Sequence, residues 1–251
     1  MTFKQVKPLA ELALVLWALA AGPVRENERS AWVGRSTRSL GTAMTALAAL
    51  HPWTAHEPKT EWLMLFPIFE RTTGCRFADQ AALHSALAAS GNSLNIAFAR
   101  DMAGLEDCRP AVHRELSMLM SNWQQGLGQS TLYRLTHLVF FATHFGRRSG
   151  YWPAEQQRFL ADVLAPCAEA RLARGDYDIA VELLVAMAWT GLARTPAFSS
   201  GTLSLAELAL VQGSIPTDRS VPREGGAFEH RYHATLMTLL ALAEAASFSG
   251  D

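Results

Sequence analysis

Apolar residues recur at helical spacing along nearly the whole chain, and no period-2 pattern bounded by turn residues interrupts them. Proline and glycine end the apolar runs at short intervals. The pattern predicts about eleven helices, over roughly 3–21, 26–51, 58–73, 77–90, 93–106, 110–125, 131–146, 153–175, 177–189, 202–212 and 227–247. The sequence therefore predicts an all-α protein in which short loops join antiparallel neighbours.

The helices also alternate in character along the chain. The first, third, fifth, seventh, ninth and eleventh are apolar over most of their surface, whereas the second, sixth and eighth carry polar faces. This alternation is typical of an inner and an outer layer. We therefore expect residues 1–251 to form a single all-helical domain in two layers, either a closed α/α toroid or a toroid-like helical array.

The stretch Tyr133–Gly146, with the sequence YRLTHLVFFATHFG, is apolar nearly all round. A helix that is hydrophobic on every side is buried on every side. We therefore expect His137, in the first turns of this helix, to be a buried imidazole with a partner for each ring nitrogen.

Several of the apolar helices carry a single polar residue about one turn inside the run. Inner helices of a layered α/α fold all point the same way, so these side chains would gather at one end, near the helix N-termini. Axes of neighbouring helices lie about 8–10 Å apart, a gap that Glu and His side chains can bridge. The candidates are Glu11, His137, Glu182 and His233, with Glu61 and Asn95 at a comparable depth.

Three interpretations of this group remain open. Two imidazoles with carboxylates suit a divalent metal (Zn, Fe or Mn), bound by His137, His233 and Glu182, although no HExxH motif supports it. Without a metal, the same groups would act as general acid and base, and the helix N-termini would favour an anionic substrate. The third interpretation is a set of buried structural pairs, for example His137 with Glu182, but four such groups exceed what structure alone leads us to expect. Further donors at the same rim are Tyr133, Tyr177, Tyr232 and His230.

Composition excludes several classes of protein. The net charge is −1 and no long basic run occurs, so nothing favours a nucleic-acid or anionic-membrane surface. The three cysteines, Cys75, Cys108 and Cys167, lie far apart without CxxC spacing, which argues for buried free thiols in a reducing compartment. The apolar run LALVLWALAAG near the N-terminus resembles a signal peptide, but Glu11 precedes it and it is too short to span a bilayer. We expect a soluble, cytoplasmic protein.

The longest irregular segment is Ser214–Gly226, which leads into the helix that carries His233. Loops of this length without structure are often lids or binding loops. Disorder is the equal alternative.

Three stretches, LTHLVFFATHFG, RYHATLMTLLALA and KPLAELALVLW, together resemble the signatures of a family of bacterial all-helical proteins of unknown function. In that family's pattern Thr-His and aromatic residues precede Thr-Asp-Phe-Gly, whereas this chain has His144 in place of the carboxylate, which puts any role of that position in doubt. The resemblance supports Thr136, His137, Tyr232 and His233 as residues to test and implies no reaction. It also implies that the gene for this protein lies beside natural-product genes, as it does for some members of that family. The layout is similar to terpene cyclases and glycan-processing α/α barrels by fold analogy alone.

We therefore expect an enzyme of specialised metabolism, a cyclase, lyase, isomerase or hydrolase that acts on a small-molecule substrate in a central pocket. Its candidate acid/base residues are His137, His233, Glu182, Glu11 and Tyr232. The alternative is a helical-repeat scaffold whose concave face binds a peptide or protein. A scaffold should leave an open groove with exposed aromatic residues such as Trp32, Trp53, Trp123 and Trp152.

Overall fold

The computed structural model describes residues 3–20, 28–50, 60–76, 80–123, 128–222 and 227–248. Within these ranges the chain forms eleven α-helices and one short 3-10 helix, and no strand. The α-helices are α1 Phe3–Leu19, α2 Glu28–Leu50, α3 Thr60–Thr73, α4 Gln80–Ala89, α5 Leu94–Met102, α6 Arg109–Ser121, α7 Gln129–Ala142, α8 Ala154–Arg174, α9 Tyr177–Trp189, α10 Pro196–Gln212 and α11 Tyr232–Phe248. The all-α prediction is confirmed, while the two-layer toroid and the antiparallel order stay predictions. None of the helices in these ranges is long and apolar enough to cross a membrane.

The chain divides into two compact units. The first comprises 1–20 and 25–113, and the second comprises 21–24 and 114–251. The first unit holds α1 to α5 and the start of α6, and the second holds the rest of α6 and α7 to α11. That residues 1–251 act as a single domain stays a prediction.

In the first unit, α3 packs against α1, α2, α4 and α5. Apolar residues on α3, α4 and α5 face one another because each helix presents them at helical spacing. The resulting core contains Leu63, Phe66, Leu83, Leu87, Ile96 and Ala99.

In the second unit, α9 is the most enclosed helix, with α7, α8, α10 and α11 packed against it. Every residue from Ile179 to Ala188 is buried, Glu182 included. Its sequence, YDIAVELLVAMAW, leaves no solvent face, which is why it lies at the centre. The apolar pattern predicts the same enclosure for the stretch Tyr133–Gly146.

That stretch is not one helix, because α7 ends at Ala142 and a left-handed turn follows. His144 and Phe145 have φ angles of 47° and 53°, and Gly146 follows at 78°. Such angles cost non-glycine residues roughly 1–2 kcal/mol each. Packing of the Phe145 ring against Phe140 and Trp189, at centroid distances of 5.6 and 6.0 Å, offsets this cost.

Other helix boundaries also differ from the prediction, among them those of α10 and α5. Helix α10 begins at Pro196 instead of near 202, because Thr195 accepts the Phe198 N–H and proline suits the first helical position. Gly201 lies inside α10, where a Cβ would come within 2.8 Å of Leu184. Helix α5 ends at Met102 instead of near 106, and Gly104 follows with a φ of 78°.

Helices α7 and α9 begin without a side-chain cap bond. In α7, which begins at Gln129, Gly128 stands at the N-cap position. Asp176 stands at the N-cap position of α9 but makes no side-chain cap bond. Its carboxylate accepts a 3.0 Å bond from Arg171 instead.

Candidate functional site

Three side chains that the sequence singles out meet in the second unit. His137 comes from α7, Glu182 from α9 and His233 from α11. The Glu182 Oε1 atom lies 3.4 Å from His233 Nε2, and its Oε2 atom lies 3.8 Å from His137 Nδ1. Helices α7 and α11 both pack against α9, and this arrangement sets a carboxyl group between two imidazoles.

Glu182 is the most enclosed member of the group, since only 2% of its side chain is exposed. The Thr136 hydroxyl donates a hydrogen bond to Oε2. Burial raises the pKa of the Glu182 carboxyl group, whereas the imidazoles of His137 and His233 and the Thr136 bond oppose the rise. Glu182 therefore holds its proton to a higher pH than an exposed glutamate.

A second carboxylate, Asp178, contacts the other side of His233. Its Oδ1 atom lies 2.7 Å from His233 Nδ1, and because a carboxylate only accepts, Nδ1 carries the proton. The Tyr133 hydroxyl donates to Asp178 Oδ2. Burial, followed by the negative charge of Asp178, strongly raises the pKa of that hydroxyl, which keeps it a donor.

His137 is not buried as the sequence predicts, because 45% of its side chain is exposed. Its Nδ1 atom lies 2.7 Å from the Tyr133 carbonyl oxygen one turn earlier in α7. A carbonyl only accepts, so Nδ1 carries the proton and Nε2 is the basic position. The ring centroids of Phe140 and Phe141 lie 5.8 and 5.9 Å from that of the imidazole. His137 is the member of the group that a dissolved molecule can reach most readily.

Asp178 is not among the candidate residues that the sequence pattern indicates. It stands four residues before Glu182 on α9, so both carboxylates share one helix face. This i,i+4 spacing is visible in YDIAVE. A search for polar residues inside the apolar run still leaves out Asp178, because that residue lies in the first turn, before the run begins. The sequence gives Tyr133 as a further donor at the rim, and the resemblance gives Thr136 as a residue to test.

The remaining candidates have other surroundings. Glu11 belongs to the first unit, where it pairs with Lys7 at 3.1 Å, and its part in the site stays a prediction. The Tyr232 ring stacks on Phe228 with centroids 4.9 Å apart and lies 6.5 Å from the His233 ring. Asn95 is exposed on α5, and the side chain of Glu61 lies outside the described residues.

The chemistry of His137, His233 and Glu182 suits a divalent metal, and this prediction is not tested by the distances alone. Both ring nitrogens of His233 already face carboxylates, at 2.7 and 3.4 Å. A cation at Nε2 would lie between this imidazole and Glu182 Oε1, and two ligand atoms that are each about 2.0–2.2 Å from one Zn²⁺ ion stand roughly 3.4 Å apart. The 3.4 Å distance therefore fits two ligands of one ion as well as an ion pair, and metal binding at this imidazole stays a prediction.

The three cysteines are free thiols, as expected, but only Cys108 is buried. Cys75 is exposed and lines a cleft of about 290 Å³ in the first unit. Because that cleft is formed by α3, α4, α5 and the residues between α3 and α4, it contains none of the predicted site residues.

Residues 2–243 match the family described as a domain of unknown function, DUF6895. The chain belongs to the DUF6895 family. The match extends into α11 and includes every residue of the group around Glu182. No curated protein and no solved structure matches the chain. The bacterial origin and the signature stretches given above for the resemblance stay predictions for this DUF6895 protein.

Proposed function

We propose that the second unit is a small-molecule enzyme site in which His137 acts as the general acid and base. One observation above all supports this. Four ionisable side chains, His137, Glu182, His233 and Asp178, form a continuous series of contacts around a carboxyl group that is almost wholly buried. A purely structural ion pair needs one partner for each charge. Here Glu182 contacts two imidazoles and His233 contacts two carboxyl groups.

The contacts suggest a role for each residue. A substrate proton moves to Nε2 of His137, and the imidazolium that forms keeps its Nδ1–H on the Tyr133 carbonyl. Glu182, 3.8 Å away, stabilises that positive charge as a carboxylate, and its proton then lies on His233 Nε2. His233 and Asp178 hold Glu182 in place from the other side. Return of the proton to another substrate atom completes an isomerisation or cyclisation, and its return to a departing group completes an elimination. In hydrolysis, His137 takes a proton from the water whose oxygen bonds to the acyl carbon, and it gives that proton to the alcohol that leaves.

The wider setting belongs to the same proposal. We place the protein in specialised metabolism in the cytoplasm, where three free thiols suit a reducing compartment. The closed toroid and the participation of Glu11 and Tyr232 remain part of it, and a metal-assisted mechanism is the alternative within it. None of them is needed for the proton transfer described above.

The alternative function is a scaffold that binds a peptide or protein partner. Apolar side chains on α10 favour it, since Leu203, Leu210 and Val211 are 64%, 87% and 60% exposed. The tryptophans give it less support. Trp152 is buried and the Trp123 ring packs on Phe159, while Trp32 is exposed and Trp53 lies outside the described residues.

The test is solvent exchange during incubation of the protein in D2O with a panel of small carbonyl compounds and carboxylic esters. Mass spectrometry detects deuterium uptake or hydrolysis. We expect conversion of at least one compound class, and a loss of about 10²–10⁴-fold in His137→Gln. His84→Gln, a change on α4 in the first unit, is the matched control and should retain the rate. Equal rates in His137→Gln and the wild type, or no conversion at all, would contradict the enzyme proposal and favour the scaffold.

A further inference from the structure

Residues 214–222, between α10 and α11, form an ordered connection instead of a free loop. Ile215 and Pro216 are buried, and the Ile215 N–H donates a 2.9 Å bond to the Thr235 hydroxyl on α11. Arg231 contacts both ends of the segment, since it donates to the Ser214 hydroxyl at 3.0 Å and to the Pro222 carbonyl. The 214–222 segment is therefore held against the start of α11 at both of its ends.

Thr217 connects this segment to the candidate site through both of its backbone groups, the N–H and the carbonyl. Its N–H donates a 2.8 Å bond to the carbonyl of His230, just before α11. Its carbonyl accepts a 3.0 Å bond from the N–H of Asp178, in the first turn of α9. The first N–H groups of a helix have no partner within the helix, so Thr217 supplies one that α9 lacks. A single residue thus joins the helix of Asp178 to the chain that leads into His233.

A second pair of bonds fixes the segment against the end of α8. The Arg219 N–H donates to the Gly175 carbonyl at 2.9 Å, and its guanidinium donates to the Ala173 carbonyl at 2.9 Å. The approach is close, since a Cβ at Gly175 would lie 2.7 Å from the Cβ of Arg219. Any side chain at Gly175 would therefore displace the segment.

We propose that Thr217 is a positioning residue. It sets the distance between Asp178 and His233, and so keeps the imidazole proton on Nδ1 and the Nε2 atom directed toward Glu182. The inference rests on the proposed function, because orientation of His233 matters only if Glu182 serves proton transfer. Catalytic groups lose effect when their support allows movement of about half an ångström. The 2.7 Å bond between His233 and Asp178 is the contact that such movement would weaken.

The experiment measures the Nδ1 proton of His233 by NMR of protein labelled with ¹⁵N-histidine, with no substrate present. Thr217→Pro removes the N–H that bonds to His230, whereas Thr217→Ala keeps both backbone bonds and is its control. Gly175→Ala displaces Arg219, whereas Gly191→Ala has the same left-handed backbone, with a φ of 85° and open space around the new Cβ. A His233→Gln variant assigns the signal.

We expect the Nδ1 proton of His233 to exchange with water about tenfold faster in Thr217→Pro and Gly175→Ala than in their controls. Rates within about twofold of the controls, in variants that keep their helical circular dichroism, would overturn the inference. If Thr217→Pro does not fold, Gly175→Ala decides. If neither folds while both controls do, the segment supports the fold instead of the pair, and the inference fails.

The outcome separates this inference from the proposed function. Faster exchange without any conversion of substrate that depends on His137 would show that Thr217 positions His233 in a protein that is not the proposed enzyme. Conversion that depends on His137, with exchange unchanged in both variants, would leave the enzyme proposal standing and remove Thr217 from it.

Discussion

Glu182 carries the heaviest electrostatic cost in the group, because its carboxyl group is buried while its neighbours are partly exposed. A buried carboxyl group without a partner is strongly disfavoured, so the two imidazoles and Thr136 are what make its position tolerable. Its pKa is raised even so. In the folded state it therefore binds a proton over a range of pH in which the unfolded chain has already lost it.

This difference predicts how stability depends on pH. A carboxyl group with a raised pKa stabilises the folded state below its unfolded pKa, which is about 4.3, and that contribution is lost as the pH rises through the folded pKa. The free energy of unfolding of the wild type, relative to Glu182→Gln, should therefore fall as the pH rises above about 4.3. Urea denaturation at a series of pH values measures it.

The control for this experiment is Glu207→Gln, which makes the same chemical change at an exposed position of α10. Its stability is measured over the same pH series. A wild type that gains stability over Glu182→Gln as the pH rises would mean that the imidazoles outweigh burial, and it would contradict the account of Glu182.

The site residues lie on α7, α9 and α11, and the sequence shows only part of what brings these helices together. The spacing of Asp178 and Glu182 on α9 and the polar residues of α7 and α11 can be read directly from the chain. The exposure of His137 cannot, because it depends on which side of α7 faces α9. The central position of α9 follows from its composition, but the seventh helix looks equally apolar until its end at Ala142 is known.

The left-handed turn after α7 allows a second prediction. A Cβ at Gly146 would lie 2.3 Å from the Trp189 Nε1 atom, which donates to Glu244 at 3.1 Å. Gly146→Ala should lower the free energy of unfolding by roughly 1–2 kcal/mol for the left-handed backbone and by about 1–3 kcal/mol more for displacement of the indole. Thermal unfolding followed by circular dichroism measures the loss.

Gly191→Ala separates the two causes, since it has a similar φ of 85° but no atom within 4 Å of the added Cβ. It should show the backbone cost alone. At this chain length, 1 kcal/mol corresponds to roughly 2–4 °C in Tm. Equal losses in the two variants would contradict the close packing of Trp189 against Gly146.

For the molecule as a whole, the sequence predicts the all-helical class well because proline and glycine mark most helix ends. It predicts the contents of the site less well. The pattern groups His137, Glu182 and His233, which meet on three helices of one unit, while the place of Glu11, in the other unit, stays a prediction. The pattern leaves out Asp178, because that residue stands in the first turn of α9 and not inside the apolar run.

The metal hypothesis is also tested on the whole protein. Elemental analysis compares the wild type, purified without chelator, with the double variant His137→Ala/His233→Ala. We expect equal Zn, Fe and Mn contents, because the proton transfer proposed for His137 needs no metal. A metal present near one equivalent in the wild type and lost in the double variant would establish these imidazoles as ligands instead.

The central claim is that His137, Glu182, His233 and Asp178 share protons as one unit. The most direct measurement is a pH titration of the histidine ring signals by ¹⁵N NMR, in the wild type and in Glu182→Gln. We predict that the titration curves of both His137 and His233 change in the variant, while that of His84, on α4, stays the same. Curves for His137 and His233 that are identical in the two proteins would contradict the claim.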